Sequence, residues 1–334
     1  MKKVSIVILN YNGKKWLEQF LPNVLQHCAF DWCEVVVADN ASTDDSRDFM
    51  QQQYPTIQLI ALAKNYGYAG GYNQALAQIN AQYYVLLNSD VALSENWLEP
   101  LVSYMDTHKE VGAVQPIIKA FHSPESFEYA GAAGGFIDYL GYPFCRGRIF
   151  DTVEKDTNQY SSNIECHWAS GACLFIRKEV FEQAGKLDDD FFAHMEEIDL
   201  CWRVRMLGYK IYCIATSTVY HVGGGTLPQG NPRKTYLNFR NNLFMMFKNE
   251  AGSVMPFKIF VRMLLDGLAG VQALFIKRNI ADVQAILKAH FHFYAALPSL
   301  LQKRKAIRKV AVSSYSKSIV LQYFLWNKKY FSQL

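Results

Sequence analysis

Several absences narrow the possibilities before any motif is considered. None of the seven cysteines (Cys28, Cys33, Cys145, Cys166, Cys173, Cys201, Cys213) belongs to a CxxC pair, and their number is odd. That spacing argues against a zinc site or a disulfide framework and suits a reducing compartment. No GxGxxG follows the first apolar run, so a dinucleotide-dependent dehydrogenase is not expected. Charged residues reach only 19% against 50% hydrophobic, which fits neither a disordered chain nor an obvious multi-span membrane protein. In the apolar stretch 257–276 the longest uncharged run is about ten residues, half of the roughly 20 that a membrane span needs. The start, "MKKVSIVILNYNG", offers an apolar run of about six residues where a secretory core needs roughly 7–15, so it reads as a buried strand from residue 4. Internal repeats, low-complexity segments and nucleic-acid-binding motifs are also missing, and no nucleic-acid partner is expected.

What is present is unevenly distributed. The net charge is +4, yet residues 251–334 hold 13 Lys/Arg against two acids, Asp266 and Asp282, a net +11 that leaves −7 for residues 1–250. An acidic front and a basic tail suggest two jobs. In the front, "VSIVIL" (4–9), "EVVVAD" (34–39), "IQLIAL" (57–62) and "YYVLLN" (83–88) are short, β-branched or aromatic, and lack polar alternation, as strands buried on both faces do. Helices are expected between them at 14–28, 43–53 and 70–80, which implies βαβ units and a mostly parallel sheet. Residues 121–165 read as loops or short antiparallel strands. "GACLFIRKEVFEQAG" (171–185) reads as a strand then a helix, 194–209 as a helix capped by Gly208, "YKIYCIA" as a strand, and 234 to about 310 as mainly helical.

Ligands of an open parallel sheet sit beyond the carboxyl ends of its strands. Here those ends read Asn10-Tyr11-Asn12-Gly13, Asp39-Asn40-Ala41-Ser42, Lys64-Asn65-Tyr66-Gly67 and Asn88-Ser89-Asp90, all small and polar. Asp39, at a strand tip just before residues that cap the next helix, suits ribose or base recognition, as carboxylates do in nucleotide folds. Gly67, Gly70 and Gly71 at a helix start permit close backbone approach to a ligand, or simply a tight turn.

Seven stretches, "VSIVILNYNG", "VVVADNASTDDS", "NYGYAGGYNQAL", "VLLNSDV", "SGACLFIRKEVF", "FFAHMEEIDLCWRVRMLGYKI" and "VYHVGGGT", together resemble, in order, the inverting glycosyltransferases of family 2 with the GT-A fold. They span roughly residues 3–245 and look most like the single-transfer, rhamnosyltransferase-like subgroup. The resemblance implies a GT-A α/β domain over 1–250, with a nucleotide-sugar half (1–120) and an acceptor half (121–250), followed by a basic amphipathic helical region at 251–334. It implies a divalent cation, Mg²⁺ or Mn²⁺, at Asp90, in a motif where Asn88 stands in place of the usual first acid, with His221 as a second ligand. Gly223, Gly224 and Gly225, after His221, would let a loop close over the donor. The catalytic base falls on Glu197, with Glu196 beside it. Donor-binding residues are expected at Asn10, Tyr11, Asn12, Asp39, Asn65, Gly71, Ser89, Arg203 and Arg240, and acceptor-binding residues at Trp168 and Gly171. Taken alone, Arg203 is also an i,i+4 partner of Asp199, and Trp168 is equally a core residue.

The expected reaction moves one sugar from a nucleotide-sugar, dTDP-rhamnose or a UDP-sugar, to a lipid-linked or cell-surface glycan. A processive synthase is disfavoured because no Q-x-x-R-W motif occurs. Two rivals stay open: a non-catalytic scaffold that keeps the fold, supported by Asn88, and a nucleotidyltransferase. In the tail, Lys258, Arg262 and Asp266 lie four apart on one narrow stripe of an otherwise apolar helix. With Lys277, Arg278 and "KRKAIRK" flanking it, this suits a helix lying on an anionic membrane, and places the protein in the cytoplasm at the inner face of the cell membrane.

Overall fold

The computed structural model describes residues 1–223, 230–276, 278–307 and 310–334. In chain order the elements are β1 (Lys2–Asn10), α1 (Lys14–His27), β2 (Cys33–Asp39), α2 (Ser46–Gln53), β3 (Gln58–Ala61), α3 (Gly67–Leu76), β4 (Ala81–Asn88), β5 (Val91–Leu93), α4 (Leu98–Thr107) and β6 (Val111–Ala120). There follow β7 (Ser123–Phe127), β8 (Gly135–Ile137), β9 (Pro143–Cys145), β10 (Arg148–Ile149), β11 (Thr152–Val153), β12 (Ile164–Cys166), β13 (Cys173–Arg177) and α5 (Lys178–Gln183). The chain continues through α6 (Glu196–Met206), β14 (Lys210–His221), α7 (Pro232–Asn249), α8 (Met255–Phe275), α9 (Ile280–Ala306) and α10 (Ile319–Phe324).

The main sheet has the order β12-β14-β6-β13-β4-β1-β2-β3. Strands β3, β2, β1 and β4 run parallel, while β13 enters antiparallel between β4 and β6. The apolar strands lie between helical layers, with Val4, Ile6, Val7 and Ile8 of β1 all buried, as uninterrupted hydrophobic runs require. From β1 the chain passes to β2 on one side, then returns to place β4 on the other. This reversal opens a crevice at the carboxyl ends of β1 and β4. The register sets Asn10 opposite Asp39 and Leu9 opposite Asn88, so three of the four polar strand ends share one line.

Local chemistry moves some boundaries. Helix α2 starts at Ser46 rather than 43, because Asp44 Oδ1 accepts from both the Ser46 N–H and its hydroxyl and holds the preceding residues in a turn. Helix α3 starts at Gly67 rather than 70, where Asn65 Oδ1 accepts the Gly67 N–H. Strand β14 runs on past the apolar 209–215 stretch through an irregularity near Ile214–Thr218, and this extension delivers His221 to the crevice.

Residues 121–166 form short antiparallel strands, including the separate sheet β11-β10-β9-β8. Residues 315–334 fold back on that sheet: the Ile319 N–H donates to Asp138 Oδ2, and Phe331 packs on Phe136 and Phe144. Helices α8 and α9 form an antiparallel pair, and α9 runs along α7. The charged stripe of α8 turns inward. Arg262 Nε donates to Asp266 Oδ1 at 2.8 Å, its guanidinium lies 3.5 Å from the centre of the Tyr142 ring, and both charged residues are buried. Among the described residues no helix is long and apolar enough to cross a membrane.

Candidate active site

The ends of β1 and β2 are latched together. Asn10 Nδ2 donates to Asp39 Oδ2 (3.1 Å) and Ser42 Oγ (3.2 Å), and Arg47 Nε donates to Asp39 Oδ1 (2.6 Å). Burial alone would raise the Asp39 carboxyl, but hydrogen bonds from Ser42, Arg47 and Asn10 outweigh it and hold the group below its ordinary range. Asn10 and Asp39 are thus buried beneath the crevice; Asp39 and the Asn10 amide nitrogen are spent on internal partners, while Asn10 Oδ1 is buried without one. The Asn12 N–H donates to Ser42 Oγ, and Asn12 Oδ1 accepts the Thr43 N–H at 2.7 Å. Tyr11, 41% exposed, is the large side chain this loop presents outward.

Asn65 works on the start of α3, accepting from Asn40 Nδ2 as well as from Gly67. Asn40, which the sequence did not single out, bridges the two loops by also donating to the Gly67 carbonyl and accepting the Tyr66 N–H. Gly71 is a packing glycine: a Cβ there would stand 2.8 Å from the Leu9 side chain and 3.1 Å from Asn40 Nδ2. Its need for glycine comes from helix–strand contact rather than from ligand approach.

Beyond β4 the polar residues converge on an imidazole. Pairing of β5 with β14 sets Val91 opposite His221, which brings His221 Nε2 within 3.2 Å of Asp90 Oδ1 and 3.3 Å of Asn88 Nδ2. The other ring nitrogen lies 3.4 Å from Glu128 Oε1. Burial would lower the His221 pKa, but the charge of Glu128 and the hydrogen bond to Asp90 push it up to about 10; His221 in turn holds Asp90 low. Glu128 was not foreseen: it comes from the loop-rich stretch 121–165, where no spacing marks a site. Ser89 sits half-buried between Asn88 and Asp90. Gly223 has φ +74°, and Gly224 and Gly225 lie outside the described residues.

The Asp90 carboxylate is the kind of oxygen donor that Mg²⁺ or Mn²⁺ favours, and His221, protonated between Asp90 and Glu128, could join it only after a cation displaces its proton. Among the described residues no cluster of three or more His, Cys, Asp or Glu could hold a metal ion by itself. A cation here would have Asp90, and His221 once deprotonated, as its protein ligands.

Across the crevice, left-handed His194 and Met195 precede α6 and put Glu196 and Glu197 on its first turn. One oxygen of each carboxyl, Oε2, is shut off from solvent without a hydrogen-bond partner. Burial pushes Glu197 up to about 7; burial and the neighbouring Glu197 charge hold Glu196 well above the ordinary carboxyl range. A Cβ on Gly171 would stand 2.8 Å from Tyr68 Oη and 3.7 Å from Glu197 Cδ, so Gly171 leaves the space beside the carboxyl open. Tyr68, another residue missed in the sequence, fixes this segment by donating to the Gly171 carbonyl at 2.6 Å. The next residue, Ala172, accepts the Asn88 N–H at 3.0 Å, so one backbone bond joins the Glu197 side to the Asp90 side.

Three expected contact residues lie elsewhere. Arg203 is buried, donating to Asp199 Oδ2 through Nε (3.0 Å) and Nη2 (2.8 Å) and to the Ala184 carbonyl, which leaves it locking α6 to α5. Trp168 is a core residue, its Nε1 donating to the Phe136 carbonyl and its ring packed over Gly135. Arg240 donates to the carbonyls of Asp190 and Phe191, and Phe192 O accepts from the Tyr68 N–H, so Arg240 braces the loop at the start of α3.

Comparison with known proteins agrees with this architecture. The chain is 26% identical over 236 residues to an N-acetylglucosaminyl-diphospho-decaprenol L-rhamnosyltransferase of Mycobacterium tuberculosis, covering 65% of this chain and 75% of that one. Its fold matches the mannosyltransferase PcManGT of Pyrobaculum calidifontis, solved with GDP-Man and Mn²⁺, at a TM-score of 0.55 and 15% identity, over 87% of each chain. It also matches GalNAc-T7, solved with UDP, GalNAc and Mn²⁺, at a TM-score of 0.59 and 13% identity, over 90% of this chain and 58% of that one. The family model described as glycosyl transferase family 2 matches residues 5–185, and the chain belongs to that family.

Proposed function

We propose that this transferase moves a single sugar, with inversion, from a nucleotide-sugar donor to a hydroxyl of a lipid-linked or cell-surface glycan. The observation that carries the reading is the pairing of a solvent-shielded, partner-free Glu197 Oε2 with the Asp90–His221 pair across one backbone hydrogen bond, at the sheet's switch point. Glu197 takes the proton of the acceptor hydroxyl, whose oxygen attacks the anomeric carbon as the bond to the diphosphate breaks. The nucleoside diphosphate leaves with the bonding electrons. Asp90 and His221 would hold a divalent cation that neutralises the departing diphosphate. Tyr11, Asn12 and Ser89 remain the donor-side residues at the crevice surface, while Asn10, Asp39 and Asn65 shape the loops that carry them. The relative's name supports rhamnose as the sugar and a polyprenyl-diphosphate-linked acceptor; dTDP-rhamnose is the donor expected from the sequence, and a UDP-sugar is the alternative.

The test is a thermal-shift panel of dTDP-, UDP- and GDP-sugars with and without Mn²⁺, followed by assay of released nucleoside diphosphate. One donor should raise the melting temperature, and Asp90→Ala should abolish the metal-dependent part of the shift. Glu197→Gln should keep the shift and lose transfer. Absence of a shift with every donor would refute the donor site, and pyrophosphate release would indicate nucleotidyl transfer instead.

A further inference from the structure

Helix α8 is built inside out. Its three charged residues all face protein: Lys258 pairs with Glu250 at 3.0 Å, and Arg262 and Asp266, 4% and 0% exposed, pair with each other and with Asn242 and His290. Its exposed positions are Pro256, Gly267 and large apolar side chains. Phe257, Phe260, Leu264, Leu268, Val271 and Phe275 recur at steps of three and four, which makes one continuous stripe. Phe260 is 58% exposed, Leu268 64% and Phe275 73%. On α9, Leu287, Phe291 and Tyr294 repeat the pattern. Single exposed apolar residues need no explanation, but an unbroken stripe of this length marks a surface that something covers.

Charge selects what covers it. Asp266 and Asp282, the two acids of residues 251–334, are both engaged: Asp266 is sealed within the α8–α9 pair, and Asp282 accepts from Thr235 and Asn279. Arg278 in the turn between the two helices and Lys288 and Lys305 on α9 are exposed, the Lys288 ammonium 5.3 Å from the centre of the Tyr236 ring. An apolar stripe accompanied by outward cations, and with neither acid free to repel an anion, fits the headgroup–acyl boundary of an anionic bilayer. We infer that the exposed face of α8, continued by Leu287, Phe291 and Tyr294 of α9, lies in the plane of an anionic membrane with Phe257, Phe260, Leu264, Leu268, Val271 and Phe275 inserted. This rests on the surface alone and does not depend on the donor-site assignment.

The experiment is sedimentation of the full chain with vesicles of phosphatidylcholine containing phosphatidylglycerol, and with phosphatidylcholine alone. The wild type should pellet with the anionic vesicles and less with the neutral ones. Leu264→Glu combined with Leu268→Glu should cut partitioning by roughly tenfold or more, because both side chains would have to be withdrawn from lipid. Arg278→Glu combined with Lys288→Glu should cut it by a similar factor and remove most of its salt sensitivity. A thermal melt of each variant reads whether the fold is kept, and the charge pair alters only exposed positions. A wild type left in the supernatant with both vesicle types would overturn the inference. So would pelleting of both double variants to the wild-type extent, or a concentration-dependent dimer that the leucine variant dissolves without any vesicle binding.

Discussion

Glu197 derives its chemistry from position. A carboxyl whose outer oxygen is shut off from water and unpaired holds its proton longer than a solvated one, and here the pKa rises to about 7. In the proposed role of base it must be ionised, so kcat/KM should climb with pH through about 7 and level off above it; a flat profile between pH 5 and 8 would remove Glu197 from the proton transfer. Because the folded pKa lies above the unfolded value, the protonated form favours the fold, and that contribution is lost as pH rises through about 7. Glu197→Gln should therefore be more stable than wild type by up to about 3 kcal/mol at pH 8, with a smaller gain at pH 5, in urea unfolding. Transfer should fall by roughly 10²–10⁴-fold in the same variant. At this scale the sequence could be read for residue type and strand end, but not for depth. Asp39, Trp168 and Arg203 look chemically ready in the sequence. Whether such groups meet solvent depends on Arg47 and Gly135, which local spacing does not locate, and for Arg203 on Asp199, whose i,i+4 spacing marks the pair but not its burial. Glu128 and Tyr68 carried no signal because their partners lie far away in the chain.

At the scale of elements, α8 shows how a periodic pattern fixes a stripe without fixing its direction. Lys258, Arg262 and Asp266 define the stripe in the sequence, but burial of Arg262 against Tyr142 and Asn242 decides that it points inward. Asp266→Ala should cost about 3–5 kcal/mol, since it leaves a buried guanidinium without its counter-charge. Arg262→Met with Asp266→Leu should recover most of that loss in denaturant unfolding. The turn into α3 is equally demanding. Gly67 has φ +72°, and a Cβ there would stand 2.5 Å from the Phe192 carbonyl oxygen, so Gly67→Ala should lower the melting temperature and weaken any donor-induced shift. The parallel strands were legible because strands buried on both faces are apolar throughout. Strand β14 was read short because its second half, "TSTVYH", alternates.

At the scale of the whole molecule, the last described residues complete a core that belongs to the middle of the chain. Ile319 and Tyr323 cluster with Phe144 and Ile149, and the Phe331 N–H donates to Glu154. Removing residues 310–334 should therefore lower the melting temperature and expose dye-binding apolar surface on the small sheet; an unchanged melt would make the segment peripheral. Nothing in the 121–165 stretch announced this partner, because its short strands bury their aromatic residues only when chain from far downstream arrives. The Asp138–Ile319 bond spans 181 residues. At translation rates of about 5–20 residues per second, Asp138 leaves the ribosome roughly 10–35 s before Ile319 can reach it. The parallel half can close within that interval, while the small sheet waits with Phe144 and Ile149 uncovered, which makes it the part of the newborn chain most in need of a chaperone.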